Sequence, residues 1–330
     1  MSIQITIIGL GQVGSSIGLA LAGQKNIKRV GHDKDIDAAR AAQKAGAVDE
    51  TKFNLPASVS NASVVLLCIP LNEIQETLEI IAPDLQEGTV IMDTAPSKAT
   101  VAAWVEKHIP QGRYYIGLTP AAGVDYLHGV ELGVSSARAD LFQKGQFMIN
   151  APHGAPGEAV KLATDLCELL GAKAILSDSM EADGLLASTH ILPQLIGAAL
   201  LDATVDQPGW HDARKLAARP YAIATAAFAY QDEVSSLGTA ALKNRENVVR
   251  VIDAYLTSLK ELRDNINAGD DASVTTFLED AHKARMRWLN DRAKADWEGV
   301  EKDKPNVPSF GERLNHMFMG KFSDRSKKNK

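Results

Sequence analysis

The chain has 330 residues, 35 basic and 41 acidic, for a net charge of −6 and an isoelectric point near 5.8. That balance argues against nucleic acid as a partner, since phosphate binding needs a basic surface, and 45% hydrophobic with 23% charged residues excludes a wholly disordered chain. Two cysteines, Cys68 and Cys167, exclude a disulfide framework and lack metal-type spacing, so a reducing, cytoplasmic setting and no metal are expected.

The chain enters an apolar strand at residues 3–8 without a basic leader, so no signal peptide is expected. A glycine-rich turn, a small-residue helix and a second strand at 29–32 follow, which makes a βαβ unit. The turn reads Gly9-Leu10-Gly11-Gln12-Val13-Gly14. Gly9 makes the tight turn, Gly11 lets backbone approach a pyrophosphate, and Gly14 lets helix and strand pack closely. The phosphates are then expected at the helix N-terminus, where free N–H groups and the macrodipole favour negative charge. Asp33 follows Gly14 by 19 positions, where a carboxylate can accept hydrogen bonds from ribose hydroxyls and repel a 2′-phosphate. This favours NAD, with NADP possible because Lys34 stands beside it; a helix-capping role for Asp33 is the alternative.

Further strands are expected at 63–69, 89–93, 114–116, 147–150 and Lys173–Ser177, separated by helices at 73–81, 98–107 and 158–170. The alternation predicts an α/β fold, an N-terminal Rossmann domain with a doubly wound, mostly parallel sheet over residues 1–178. An all-helical C-terminal domain is expected over 179–300, because no β-branched run recurs there. The apolar stretch 185–201 is interrupted by Thr189, His190, Pro193 and Gln194 and falls short of a clean membrane span. Over 244–266, Val248, Ile252, Tyr255, Leu259, Leu262 and Ile266 form a seam for another helix. That seam fits either an intrachain core or a homodimer, with the homodimer slightly preferred. From Lys304 onward seven basic stand against two acidic residues, a net +5. Residues 301–330 are therefore expected as a basic, partly disordered tail, in which Phe310, Leu314, Met317, Phe318 and Phe322 could dock on the body or a partner.

The sequence resembles the prephenate/arogenate dehydrogenase family of tyrosine biosynthesis over residues 1 to about 290. The matching pieces are Ile7-Ile8-Gly9-Leu10-Gly11, Gly31-His32-Asp33, Leu67-Cys68-Ile69-Pro70-Leu71, Asp93-Thr94-Ala95-Pro96-Ser97-Lys98, the run Tyr115 to Gly123, Ala137 to Phe142, and Asn244-Arg245-Glu246. The resemblance implies a Rossmann domain followed by a helical, dimer-forming domain. It also implies oxidation of the hydroxyl-bearing ring carbon of prephenate or arogenate by a nicotinamide, with loss of carbon dioxide. By the same resemblance Cys68, Ile69, Pro70, Asp93 and Thr94 line the cofactor beside the glycine turn, although Cys68 also reads as an inert packing residue.

The pocket departs from the family pattern. Thr119 stands where the family has a histidine that helps deprotonate the ring hydroxyl, and a threonine cannot act as a base near neutral pH. The family serine aligns with Pro96, beside Ser97, while Lys98 keeps its place. Two family histidines become Ile191 and Gln194, and a new histidine, His190, appears one position earlier. The family's carboxylate-binding arginine falls at about Phe228, with Arg219 several residues away. Thr119, Lys98, Ser97, His190 and Gln194 are therefore the candidate catalytic residues. His190 is the replacement base, or else a histidine hydrogen-bonded between helices; Lys98 holds a substrate carboxylate or complements a local acid. Asp93, at a strand end, sits where open α/β sheets bind ligands, or caps the next helix. Asp183 and His190 share a helix face two turns apart, about 10 Å, too far for a relay.

Three functions remain open on these residues: a prephenate/arogenate dehydrogenase, a same-family dehydrogenase for a different small carboxylated alcohol, and a dinucleotide-binding sensor without turnover. A cleft lined by Phe228 and Ile191 favours sensing. Convergence of His190, Lys98 or Arg219 favours catalysis.

Overall fold

The computed structural model describes residues 3–129, 131–230 and 234–295. In the first half of the chain β1 (Ile3–Ile8), α1 (Gln12–Ala20), β2 (Ile27–His32), α2 (Ile36–Lys44), β3 (Glu50–Thr51) and α3 (Leu55–Val59) are followed by β4 (Val64–Leu67), α4 (Leu71–Ile81), β5 (Val90–Asp93) and α5 (Lys98–His108). β6 (Tyr114–Ala121), β7 (Gln146–Asn150), α6 (Gly157–Leu169) and β8 (Lys173–Ser177) complete the sheet. Its order is β3-β2-β1-β4-β5-β6-β7-β8. All pairs are parallel except β6 with β7. Strands covered on both faces need apolar residues throughout, and the Val-Val-Leu-Leu of β4 is buried at every position.

Helices cover the sheet on two sides. One core gathers Ile5, Ile7, Leu66, Met92, Leu118 and Phe147 against α1 and α6. The other gathers Ile8, Val65, Leu67, Ile91 and Tyr115 against α4 and α5, and joins Ile191, Leu237 and Val248 from the second half of the chain. That half is helical among its described residues: α7 (Ser179–Leu186), a π-helical turn at Ala187–Ile191, α8 (Leu192–Thr204), α9 (Trp210–Leu216), α10 (Arg219–Ala226), α11 (Val234–Lys243), α12 (Arg245–Ala268) and α13 (Asp271–Lys294). The tail expected over residues 301–330 lies outside the described residues.

Three expectations change. β3 is a two-residue edge strand with no β-branched run behind it, which is why its sequence carries no strand signal. β6 extends five residues beyond the expected 114–116, through Thr119-Pro120, because pairing with β7 supports its far end. The helical run Ser179–Thr204 is, by length and composition, apolar enough to cross a membrane, contrary to the reading of 185–201. In the fold its buried residues include Ala182, Leu186, Ala187 and Ile191, and it packs on α5, α10 and α12.

Candidate active site

The registers place a cleft. Ile8 pairs with Leu67, Leu67 with Asp93, and Asp93 with Gly117, so β1, β4 and β5 all end on one row. β6 continues four residues past that row, paired with β7. Together they raise a wall of roughly 13 Å at 3.4 Å per residue above the carboxyl edge, where open α/β sheets bind ligands.

On one side of the cleft is the turn from β1 to α1. Gly9 has φ +90°, and a Cβ there would lie 2.3 Å from the Cys68 carbonyl oxygen. A Cβ on Gly14 would meet the Gly9 carbonyl at 2.0 Å. Glycine is required at both positions by space alone. Gly11 precedes α1, which starts with no side-chain cap and no acidic residue in its first turn. The N–H groups of Gln12, Val13 and Gly14 thus sit at a positive helix end, a fit for an anion. Asp33, just past β2, accepts from the Leu10 N–H at 2.7 Å and the Asp35 N–H at 2.8 Å, one on each carboxylate oxygen. Each oxygen keeps a lone pair for a further donor. Lys34, the candidate for a 2′-phosphate, is ion-paired with Glu73 of α4. The Cys68 backbone and the Ile69 side chain press on Gly9, Pro70 precedes α4, and Thr94 donates its N–H to the Leu67 carbonyl at 3.0 Å. Burial pushes the Cys68 thiol up to about 12, so it stays neutral. Above this turn the Gln12 amide donates to the Glu131 carbonyl at 3.2 Å and Ser16 Oγ accepts the Arg138 N–H at 3.0 Å, so segment 131–138 crosses α1.

The opposite side is built on a buried ion pair. Lys98, 0% exposed, donates to Asp93 Oδ1 at 2.9 Å, to the Leu118 carbonyl at 2.7 Å and to the Asp93 carbonyl at 3.2 Å. All three ammonium protons are used. Asp93 Oδ2 accepts from the Tyr115 hydroxyl at 2.6 Å and Oδ1 also takes the Ala95 N–H at 2.8 Å. The Lys98 stem runs over Gly117, whose missing Cβ leaves it room; one would be 2.8 Å from Lys98 Cδ. Asp183 of α7 caps α5 by accepting the Lys98 and Ala99 N–H groups, and its own carbonyl accepts from Asn244 at 2.7 Å. Burial pulls the Lys98 pKa down and the Asp183 pKa up, each against the pull of its partners.

Directly opposed residues of an antiparallel pair share a face. Tyr115, Gly117 and Thr119 alternate onto the face that carries Lys98, and Asn150 stands opposite Gly117. The Thr119 hydroxyl is buried and has no partner among the described residues. His190 lies in the π-helical turn, a local widening found frequently at functional sites. Its side chain is exposed, yet the surrounding protein lowers its pKa and the Lys98 charge lowers it further.

Of the catalytic candidates, Lys98 lies against Gly117 and Leu118 of β6, the two residues before Thr119, and its charge reaches His190. Lys98 is occupied by Asp93, so it complements a local acid and has no proton left for a substrate carboxylate. Ser97 is buried and donates to Thr100 Oγ1 at 2.9 Å. Gln194 is buried and donates to the His190 carbonyl at 2.7 Å, which fixes the turn that presents His190. Ile191 is buried in the core and Phe228, partly buried, packs against it, and Arg219 is exposed at the start of α10. Tyr115 and Asn244 were not singled out by sequence. Their partners, Asp93 and Asp183, lie 22 and 61 positions away, and no local pattern marks such pairs.

Comparison with known proteins agrees with this geometry. The family model for the nucleotide-binding domain of prephenate dehydrogenase matches residues 17–176. Cyclohexadienyl dehydrogenase of Zymomonas mobilis is 24% identical over 290 residues, 87% of this chain and 96% of that protein. Prephenate dehydrogenase of Lactococcus lactis is 26% identical, covering 86% of this chain and 77% of its own length. Prephenate dehydrogenase of Aquifex aeolicus, solved with hydroxyphenyl propionate and NAD+, superposes with a TM-score of 0.76 at 19% identity over 87% of this chain and 98% of that one. Synechocystis arogenate dehydrogenase superposes at 0.67, with 21% identity over 87% and 100%.

Replacing Lys98 by Met leaves Asp93 buried without its cation, so urea denaturation should show a loss of about 3–5 kcal/mol. An unchanged midpoint would mean that Asp93 does not need the ammonium.

Proposed function

We propose that the chain is a member of the prephenate/arogenate dehydrogenase family, which it resembles, and that it is an NAD-dependent dehydrogenase acting on prephenate or arogenate, in the cytoplasm and as a homodimer. The observation that carries the reading is the pairing of an uncapped α1 N-terminus with the Asp33 carboxylate on one side of the cleft and His190 with a free Thr119 hydroxyl on the other. Bound in the cradle, the dinucleotide supplies a hydride acceptor. Gln12, Val13 and Gly14 hold its phosphates through backbone N–H groups. Asp33 takes the ribose hydroxyls, and Glu73 keeps Lys34 away from a 2′-phosphate. Cys68, Ile69, Pro70, Asp93 and Thr94 border it as packing and backbone.

His190 is the base. Burial and the Lys98 charge keep its imidazole neutral, which is the form that takes the proton of the ring hydroxyl. Thr119 orients that hydroxyl, since its own Oγ can donate or accept but not remove a proton. Lys98 sets the potential of this corner without leaving Asp93, and Ser97 and Gln194 position α5 and the π-helical turn. A second reading, a same-family enzyme for another small carboxylated alcohol, draws on Thr119 in place of a histidine. A sensor without turnover is less favoured, because Ile191 is buried in the core with Phe228 packed against it, while His190 is exposed.

The α12 seam supports the homodimer. Val248 is buried within the chain, but Tyr255, Leu259 and Ile266 are 38, 48 and 60% exposed, and a second copy would cover them. Light scattering should give twice the 35.4 kDa chain mass; a monomer at micromolar concentration would refute the arrangement.

Asp33→Ser removes the charge that disfavours a 2′-phosphate, so the NAD over NADP preference in kcat/KM should fall by about tenfold or more, the range of one charge-assisted contact. No change in that ratio would remove Asp33 from the ribose site. Because His190 acts unprotonated, kcat/KM with prephenate or arogenate should be full above its pKa and fall as pH drops through it, with the acid limb below the ordinary histidine value of 6.5. His190→Asn should abolish that limb and cost about 10²–10⁴ in kcat. A limb that survives the substitution would assign the base elsewhere.

A further inference from the structure

Three cations are buried among the described residues: Arg29, Lys98 and Arg292. Arg29 is paired with Asp49, and Lys98 with Asp93. Arg292, 8% exposed and the one buried residue of α13, has no carboxylate partner among the described residues. It donates from Nη2 to the carbonyl of Ala122, just past β6, while its Nε–H is buried and unpartnered. A guanidinium is always charged, and a buried charge without a counter-ion is costly. Nearby, Gln146 opposes Ala121 across the β6–β7 ladder, on the face that Thr119 and Asn150 share. Its Nε2 is buried and unpartnered as well. Three idle donors are thus tied to the four residues from Thr119 to Ala122: Thr119 Oγ1 itself, Gln146 Nε2 across from Ala121, and Arg292 Nε of the side chain held by the Ala122 carbonyl. Ala121 and Ala122 between them carry no bulk that would hold a ligand off.

We infer that Arg292 and Gln146 form an anion subsite on this wall, which takes the side-chain carboxylate of the substrate while the ring hydroxyl lies at Thr119 and His190. From Thr119 to Ala122 is three residues, roughly 10 Å of extended chain, about the span of a ring with a three-carbon acid attached. A planar carboxylate accepts two parallel N–H bonds from a guanidinium and completes its shell from an amide. The subsite rests on the proposed substrate reading and supplies the cation missing at Phe228.

The test titrates the full-length protein with NAD present, using 3-(4-hydroxyphenyl)propionate and its uncharged amide as product-like probes. Wild type should prefer the acid. Arg292→Gln should weaken the acid by about 10–100-fold, as loss of a charge-assisted bond does, with amide and NAD binding unchanged; Arg292→Lys should recover part of the loss. Gln146→Leu should weaken the acid several-fold yet raise the urea midpoint of the ligand-free protein, because it removes an unpaired buried amide. Acid binding that is unchanged in both Arg292→Gln and Gln146→Leu, or lost together with NAD binding and stability, overturns the subsite and leaves the dehydrogenase reading intact. Failure of wild type to bind either probe overturns the substrate reading and the subsite with it.

Discussion

The Lys98–Asp93 pair is the constraint on which the rest of the site depends. A lysine and an aspartate taken out of water must compensate each other and satisfy every remaining proton and lone pair. Here that requirement recruits Tyr115 from β6, the Leu118 carbonyl, and the backbone N–H of Ala95. It also needs space, which Gly117 provides. The start of α5 is then capped by Asp183 from the helical half of the chain, so the network joins the sheet edge to α7. One side of the cleft is therefore rigid, while its positive charge is neutralised below the surface.

That arrangement separates positioning from chemistry. Burial lowers the His190 pKa, and the charge of Lys98 lowers it further without contact between the two groups being needed. Gln194 and the π-helical turn set where the imidazole stands. Across the sheet edge, β6 outruns its parallel neighbours because antiparallel β7 pairs with its last five residues. The wall so formed brings Thr119 up beside the cleft with a hydroxyl that no other described residue engages. Thr119 Oγ1, Gln146 Nε2 and Asn150 Oδ1 on this wall are among the buried polar atoms left unpaired, and none of the three belongs to the ion-pair network.

Much of the nucleotide half was legible in the sequence. Gly9, Gly11 and Gly14 occur at the spacing the turn requires, and the φ of Gly9 and the carbonyl contacts of Gly9 and Gly14 give the physical reason at two of them. The strands β1, β2, β4, β5, β7 and β8 announce themselves by apolar runs between turn signals. Where the reading fell short, support came from a neighbour. β6 carries Pro120 and polar Thr119 and is held as a strand by β7, and β3 exists only as a partner for β2. Lys98 could be read as a ligand for a carboxylate because its sequence neighbourhood does not show that Asp93 and Leu118 will surround it.

By itself the sequence determined the α/β order, the dinucleotide turn, the acidic residue beyond β2 and the replacement of a family histidine by Thr119, because each is encoded by residues close together along the chain. Only the tertiary structure decided that Lys98 is spent on Asp93, that His190 lies in a π-helical turn with its carbonyl held by Gln194, and that Arg292 comes to rest against Ala122, 170 positions earlier. Those outcomes depend on which distant groups share a desolvated space. Burial and Coulomb interaction act through distance in space, and no local pattern of residues records it.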